Sequence, residues 1–161
     1  MNNWTSVGVI ISIIALIYTM SRDIIERIRS QAIQITCWLD YDLKRSDDGK
    51  IPVSISNPSG IPIYDVVISV DLVCEDWKKG LCGIRKESKQ KEYVQCIPPG
   101  LYYVHAPYEG EGGHQKFSAS ISFRDSGGHK WKRDAIGKLH MRNCYSISRP
   151  AESAVLYRYE N

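Results

Sequence analysis

Two hydrophobic periods divide this chain. From Trp4 to Met20 the sequence WTSVGVIISIIALIYTM is continuously uncharged and dominated by Val, Ile, Leu and Ala. As an α-helix this stretch is about 25 Å long at ~1.5 Å per residue, at the short end of what crosses a bilayer. Trp4 and Tyr18 lie near its two ends, where amphipathic rings favour the headgroup layer. In lipid the need to bond every backbone group internally overrides the weak helix propensity of Val7, Val9, Ile10 and Ile11. The stretch from Ser21 to Gln31 continues the helical period, with Ile24, Ile25 and Ile28 on one face and Asp23, Glu26, Arg27 and Arg29 elsewhere.

From Ala32 onward the period falls to two. Strands are predicted over Gln34 to Leu43, Ile51 to Ser56, Ile63 to Val73, Glu92 to Ile97, Leu101 to His105, Lys116 to Arg124, His129 to Arg133 and Gly137 to Met141. The strongest alternations place Val66, Ile68, Val70 and Leu72 on one face, and Phe117, Ala119, Ile121 and Phe123 on another. Turn chemistry separates them at Asp47-Asp48-Gly49, Asn57-Pro58-Ser59-Gly60, Pro98-Pro99-Gly100 and Asp125-Ser126-Gly127-Gly128. Phe123 and Trp131, on either side of the last of these turns, are expected in the core. Glu75 to Gln90 is polar and Lys-rich and reads as a long loop. Tyr108 to Gln115 reads as a Gly-rich one. Short strands at this spacing predict an all-β protein, a β-sandwich of Greek-key type preceded by one N-terminal transmembrane helix. The expected organisation is a transmembrane anchor at 1–21, a juxtamembrane helical neck at 22–31, the β-sandwich at 32–142, and a tail or short helix at 143–161.

The order Asn57, Pro62-Ile63-Tyr64-Asp65-Val66, Pro98-Pro99-Gly100, Phe123 to Gly128, Trp131-Lys132-Arg133, Gly137 and Leu139 resembles a pattern of uncharacterised bacterial proteins. Those are small, with an N-terminal membrane span and an immunoglobulin-like domain. The resemblance extends from Gln34 to Leu139. It implies a fold and turn positions, not an activity, since the cysteine-tryptophan-cysteine spacing of true immunoglobulin domains is absent.

Charge adds orientation. The chain has 161 residues, 21 of them Lys or Arg and 18 Asp or Glu, with a formal net charge of +3. None of these charges precedes Arg22. Arg22, Arg27 and Arg29 follow the span, and the positive-inside bias predicts a cytoplasmic C-terminal domain on the inner membrane. A cleaved signal peptide fits less well, because no basic residue precedes the apolar run and Tyr18-Thr19-Met20 is a poor cleavage site. A buried core helix would not need so long an uncharged stretch. Cys37, Cys74, Cys82, Cys96 and Cys144 are odd in number and match no zinc or redox spacing, which suits reduced thiols.

Catalytic chemistry finds no signature. His105, His114, His129 and His140 lack helical metal-ligand spacing, so no metal or cofactor is expected. There is no G-x-S-x-G elbow, and the Gly-rich loop lacks the Lys-Ser/Thr of a phosphate loop. Two basic clusters each hold a tryptophan. Trp77, Lys78 and Lys79 lie in one, and Lys130, Lys132 and Arg133 flank Trp131 in the other. Trp77, the two lysines after it, and Lys130, Lys132 and Arg133 form the candidate interaction surface, for an acidic partner or the anionic leaflet; a solvated face is the plainer account. The net charge is too small to argue for nucleic acid. The expected partners are the membrane through residues 4–20, an unidentified protein or ligand, and a second copy through the anchor and neck. The expected function is a membrane-tethered, non-enzymatic binding domain. The alternative is a sensor or membrane-disrupting effector in a bacterial stress or phage-defence pathway.

Overall fold

A computed structural model of the chain describes residues 3–46, 48–76, 81–108, 116–142 and 153–159. One helix, α1 (Asn3–Gln34), leads into an all-β body. Its strands are β1 (Thr36–Leu39), β2 (Ile51–Asn57), β3 (Ile63–Asp76), β4 (Leu81–Lys86), β5 (Glu92–Ile97), β6 (Gly100–Ala106), β7 (Lys116–Arg124), β8 (Lys130–Arg133), β9 (Leu139–Met141) and β10 (Tyr157–Arg158). A four-stranded sheet runs β1-β2-β6-β10. A six-stranded sheet runs β4-β3-β7-β8-β9, with β5 also paired to β3. All strand pairs are antiparallel.

Period-two alternation explains which face each strand buries. Val53, Ile55 and Val104 of the first sheet meet Val66, Ile68, Val70, Ile121 and Phe123 of the second, all fully or nearly fully buried. Phe123 lies opposite Trp131 across the β7–β8 pair, and both are in the core, as the sequence predicts. The turn between them is built by Asp125. Its Oδ1 accepts the His129 N–H at 2.8 Å, and its Oδ2 accepts the Trp131 indole N–H at 2.7 Å. Gly128 closes the turn at φ 86°, a conformation that costs other residues a steric penalty. Asp134 and Gly137 repeat this construction between β8 and β9, with Asp134 Oδ1 accepting the Lys138 N–H at 2.8 Å.

The structure corrects the sequence reading in one segment and refines it in two others. The segment read as a loop from Glu75 to Gln90 instead carries the end of β3 and the whole of β4. Pairing against β3 supplies the backbone partners that weak local alternation did not advertise. Residues 153–159 form no helix. They run extended, and β10 adds an edge strand to β6; the rest of 143–161 lies outside the described residues. The neck also does not end before the domain. α1 continues to Gln34, and Ile28, Gln31, Ala32 and Ile35, spaced for one helical face, pack into the body.

Hydrogen bonds reinforce that packing. Gln31 Nε2 donates to the carbonyls of Ile61 and Pro62 at 3.2 and 3.1 Å, and its Oε1 accepts from Ser126. The helix's last carbonyls are capped by Arg133. Its guanidinium donates to Ile35 O at 2.7 Å, Ile33 O at 2.8 Å and Ala32 O at 3.4 Å, and also to Gly137 O at 2.8 Å. A cation satisfying orphan carbonyls at a helix C-terminus is favoured by both hydrogen bonding and the helix dipole. Upstream, α1 is long and apolar enough to cross a membrane, and it is exposed from Val7 to Met20.

Candidate functional site

The outward face of the four-stranded sheet carries the most distinctive surface. Cross-strand register places Trp38 opposite Ser54, Ser54 opposite Tyr103, and Tyr103 opposite Tyr157, one continuous row across all four strands. Tyr103 and Tyr157 stack with ring centroids 5.0 Å apart. His105 meets both rings edge-on, at 5.8 and 5.6 Å, and Tyr159 meets Tyr103 edge-on at 5.4 Å. Such offset and edge-on contacts follow the ring quadrupoles and hold the group in one geometry. Trp38 and Tyr157 nevertheless stay 41% and 40% exposed, and nearby Tyr41 72%. Outward strand positions in a soluble sandwich are ordinarily polar, so an aromatic row here is a feature to be explained.

A polar clamp fastens it. The Ser54 hydroxyl donates to Asp40 Oδ2 at 2.9 Å and lies 2.5 Å from the Tyr159 hydroxyl, which itself donates to Asp40 Oδ2. The Tyr159 bond holds the Asp40 carboxyl below the usual range, helped by Ser54 and by backbone N–H groups. Burial, and then the hydrogen bond to Asp40, push the Tyr159 phenol above its ordinary value. The clamp ties residues 153–159 to the β1–β2 region and keeps Tyr157 seated on Tyr103.

Beside the row lies a pocket of about 270 Å³ lined by residues including Ser46, Asp48, Lys50, Glu92, His105 and Tyr157. Lys50 bridges Glu92 at 3.1 Å and Asp48 at 3.5 Å, and the Glu92 contact raises its ammonium above the usual value. The row crosses the middle of β2 at Ser54, and the pocket sits near the end of the first sheet remote from the helix. Ile51 of β2 pairs with Ala106 there, while Asn57 pairs with Gly100 near the helix junction. At ~3.3 Å per residue those ends are about 20 Å apart.

A second polar cluster covers the outer face of the six-stranded sheet. Asp71, fully buried, accepts from Ser120 Oγ at 2.7 Å, Ser88 N at 2.9 Å and Ser69 Oγ at 3.2 Å. Each donor is spent on the carboxylate, and no imidazole joins the set among the described hydrogen bonds. The arrangement pins the β4–β5 connection onto the sheet. Among the described residues no three His, Cys, Asp or Glu side chains converge as a metal site. Cys37 and Cys96 are free thiols, and burial pushes the Cys37 thiol up to about 12, far from the thiolate that reactive cysteines need.

The six residues singled out from the sequence fare differently. Trp77, Lys78 and Lys79 lie outside the described residues. Lys130 and Lys132 share the outward side of β8, and Lys132 is mostly covered, paired to Glu87 at 2.8 Å. Arg133 points the other way and is consumed by the helix cap. The basic cluster is therefore split between two faces of one strand. What sequence reading missed is the aromatic row. Its signal was present in the spacing of Tyr103 with His105, and of Tyr157 with Tyr159, each pair two apart and so on one side of a strand. The chain matches no protein-family model, no curated protein and no solved structure.

Proposed function

We propose that this protein is a membrane-tethered, non-enzymatic binding domain that receives a partner on the aromatic face of its four-stranded sheet. The observation that carries the reading is the row in which exposed Trp38 and Tyr157 share a rung with partly covered Tyr103, together with the adjoining pocket. Aromatic side chains offer large contact area at low entropic cost, and they dominate binding hot spots. Their rung crosses β2 at Ser54, three residues or about 10 Å from the Asn57 end beside the helix junction, on the face turned away from the core. The basic residues following the span support a cytoplasmic domain on a bacterial inner membrane.

The strand order supports an immunoglobulin-like sandwich. In that fold strands A, B and E share one sheet and C, F and G the other, with C′ beside C in the variable type. Here β1, β2 and β6 stand where A, B and E would, and β3, β7 and β8 where C, F and G would. β4 and β5 together take the C′ edge.

The test is site-specific photo-crosslinking in cells. A photoreactive phenylalanine analogue at Trp38 or Tyr157 should give a discrete adduct, while the same group at exposed Ile136, in the β8–β9 turn, should not. Equal labelling from all three positions, or none from Trp38 and Tyr157, would remove this face from consideration.

A further inference from the structure

Where α1 approaches the body, it passes the β8–β9 hairpin without closing against it. Between them lies a groove of about 370 Å³ lined by Ile25, Ile28, Trp131, Leu139 and Met141, with Arg29 and His140 at its polar margin. Ile25 and Met141 are both about half exposed, and Ile24 beside them is equally open. Apolar side chains clustered round an open groove mark a surface that something else covers.

Depth decides what covers it. With Trp4 at one interface, a ~30 Å hydrocarbon layer takes up about 20 residues of helix and ends near Asp23. Ile25 to Arg29 then lie about 3–9 Å further along the axis, within the headgroup layer. A lipid is adjacent there by necessity, whereas a partner from the aqueous phase must displace lipid to enter. Charge points the same way. Arg22 is engaged by Glu26 at 3.1 Å, but Arg27 and Arg29 have no ion-pair partner among the described residues. Arg142 follows Met141 at the end of β9. Guanidinium forks match phosphate oxygens better than any other side chain. His140 is already directed, its Nε2 lying 2.9 Å from Asp134 Oδ2, so Arg29 is the group left for an anion.

We propose that this groove seats one anionic phospholipid of the adjoining leaflet, its phosphate against Arg29 and an acyl chain along Ile25, Ile28, Leu139 and Met141. The inference rests on α1 crossing the bilayer. A lipid seated there fills the gap between helix and edge strand, and so fixes the rotation of the domain about its anchor.

Trp131 lines the groove and supplies the reporter. The full chain, with Trp4, Trp38 and Trp77 each replaced by Phe, is assembled into phosphatidylcholine nanodiscs. These carry a minor fraction of either brominated phosphatidylglycerol or brominated phosphatidylcholine. The anionic lipid should quench Trp131 markedly more at equal mole fraction. Arg29→Glu should lower that preference by more than about fivefold, the factor in partition that one basic residue contributes beside an anionic surface, since it also adds a negative charge. Co-elution with the discs but equal quenching by both lipids, or a preference unchanged in both Arg29→Glu and Met141→Gln, overturns the groove assignment alone. Elution free of the discs overturns it together with the membrane reading of α1.

Discussion

The side-chain amide oxygen of Gln31 accepts two hydrogen bonds from Ser126, 3.0 Å from its backbone nitrogen and 2.9 Å from its hydroxyl. One residue of the helix is thereby fastened to the β7–β8 turn, and its amide nitrogen to the loop before β3. Most single-span proteins are drawn as a domain on a string. Here the long apolar helix is the first element of the domain, so any rotation or tilt of the helix is coupled to the orientation of the sandwich.

The first prediction follows. Gln31→Ala removes four part-buried hydrogen bonds, two to the Ile61 and Pro62 carbonyls and two from Ser126, each contributing about 0.5–1.5 kcal/mol. Thermal unfolding of residues 22–161 should therefore show a clear fall in midpoint for Gln31→Ala. It should show a comparable fall for Gln31→Glu, which keeps the acceptor but loses the donor. The fragment 22–161 itself should be soluble and folded, with β-type circular dichroism. A fragment starting at Thr36 lacks Ile28, Gln31, Ala32 and Ile35 and should not fold stably. A folded 36–161 would show that the helix end is merely adjacent.

The second prediction concerns pH. The Tyr159 bond lowers the Asp40 carboxyl, so this contact stabilises the fold above the unfolded carboxylate value near 4 and is lost as pH falls through the folded value. The Tyr159 phenol is raised, so its contribution is present below about 10 and is lost as pH rises through the folded value. The difference in unfolding midpoint between the native fragment and Tyr159→Phe should be greatest at intermediate pH and shrink towards both extremes. A difference that stays flat into the acid range would exclude Asp40 as the charged partner.

Much of the architecture was legible because alternation reports burial directly. Lys116 to Arg124 is bounded in the structure as the sequence bounds it, and spacing alone places Phe123 and Trp131 in the core. Two kinds of feature were not legible. Arg133 looks like one more surface cation beside Lys132, and only the return of the helix end beneath β8 reveals its acceptors. The aromatic row joins Trp38, Tyr103 and Tyr157 from three distant segments, and no local pattern states that they share a rung. β10 is too short to carry a periodic signal of its own. It exists as a strand because β6 offers it an edge.

A third prediction tests topology. With Arg22, Arg27 and Arg29 retained on the cytoplasmic side, a reporter active only outside the cytoplasm and fused after Asn161 should be silent, and one active only inside should work. Replacing all three arginines by Gln should raise the fraction of inverted chains. Activity of the external reporter in the native sequence would place the aromatic face outside the cell and reopen the pairing of the cysteines.

The last prediction separates packing from hydrogen bonding at Trp131. Its ring lies opposite Phe123 in the core, and its indole N–H is held by Asp125 Oδ2 at 2.7 Å. Phe123→Ala and Trp131→Ala each remove a large buried ring and should cost about 3–5 kcal/mol. That is a large part of the ~5–15 kcal/mol that holds a domain together. Trp131→Phe keeps most of the ring and removes only the donor, leaving one buried carboxylate oxygen unpaired at about 1–3 kcal/mol. At about 2–4 °C per kcal/mol for a chain of this size, the alanine variants should unfold roughly 10 °C lower, and Trp131→Phe by about half of that or less. If Trp131→Phe costs as much as Trp131→Ala, the Asp125 bond dominates and the ring is a support for the turn. If it costs nothing, the indole contributes only as packing, and His129 alone keeps Asp125 in place.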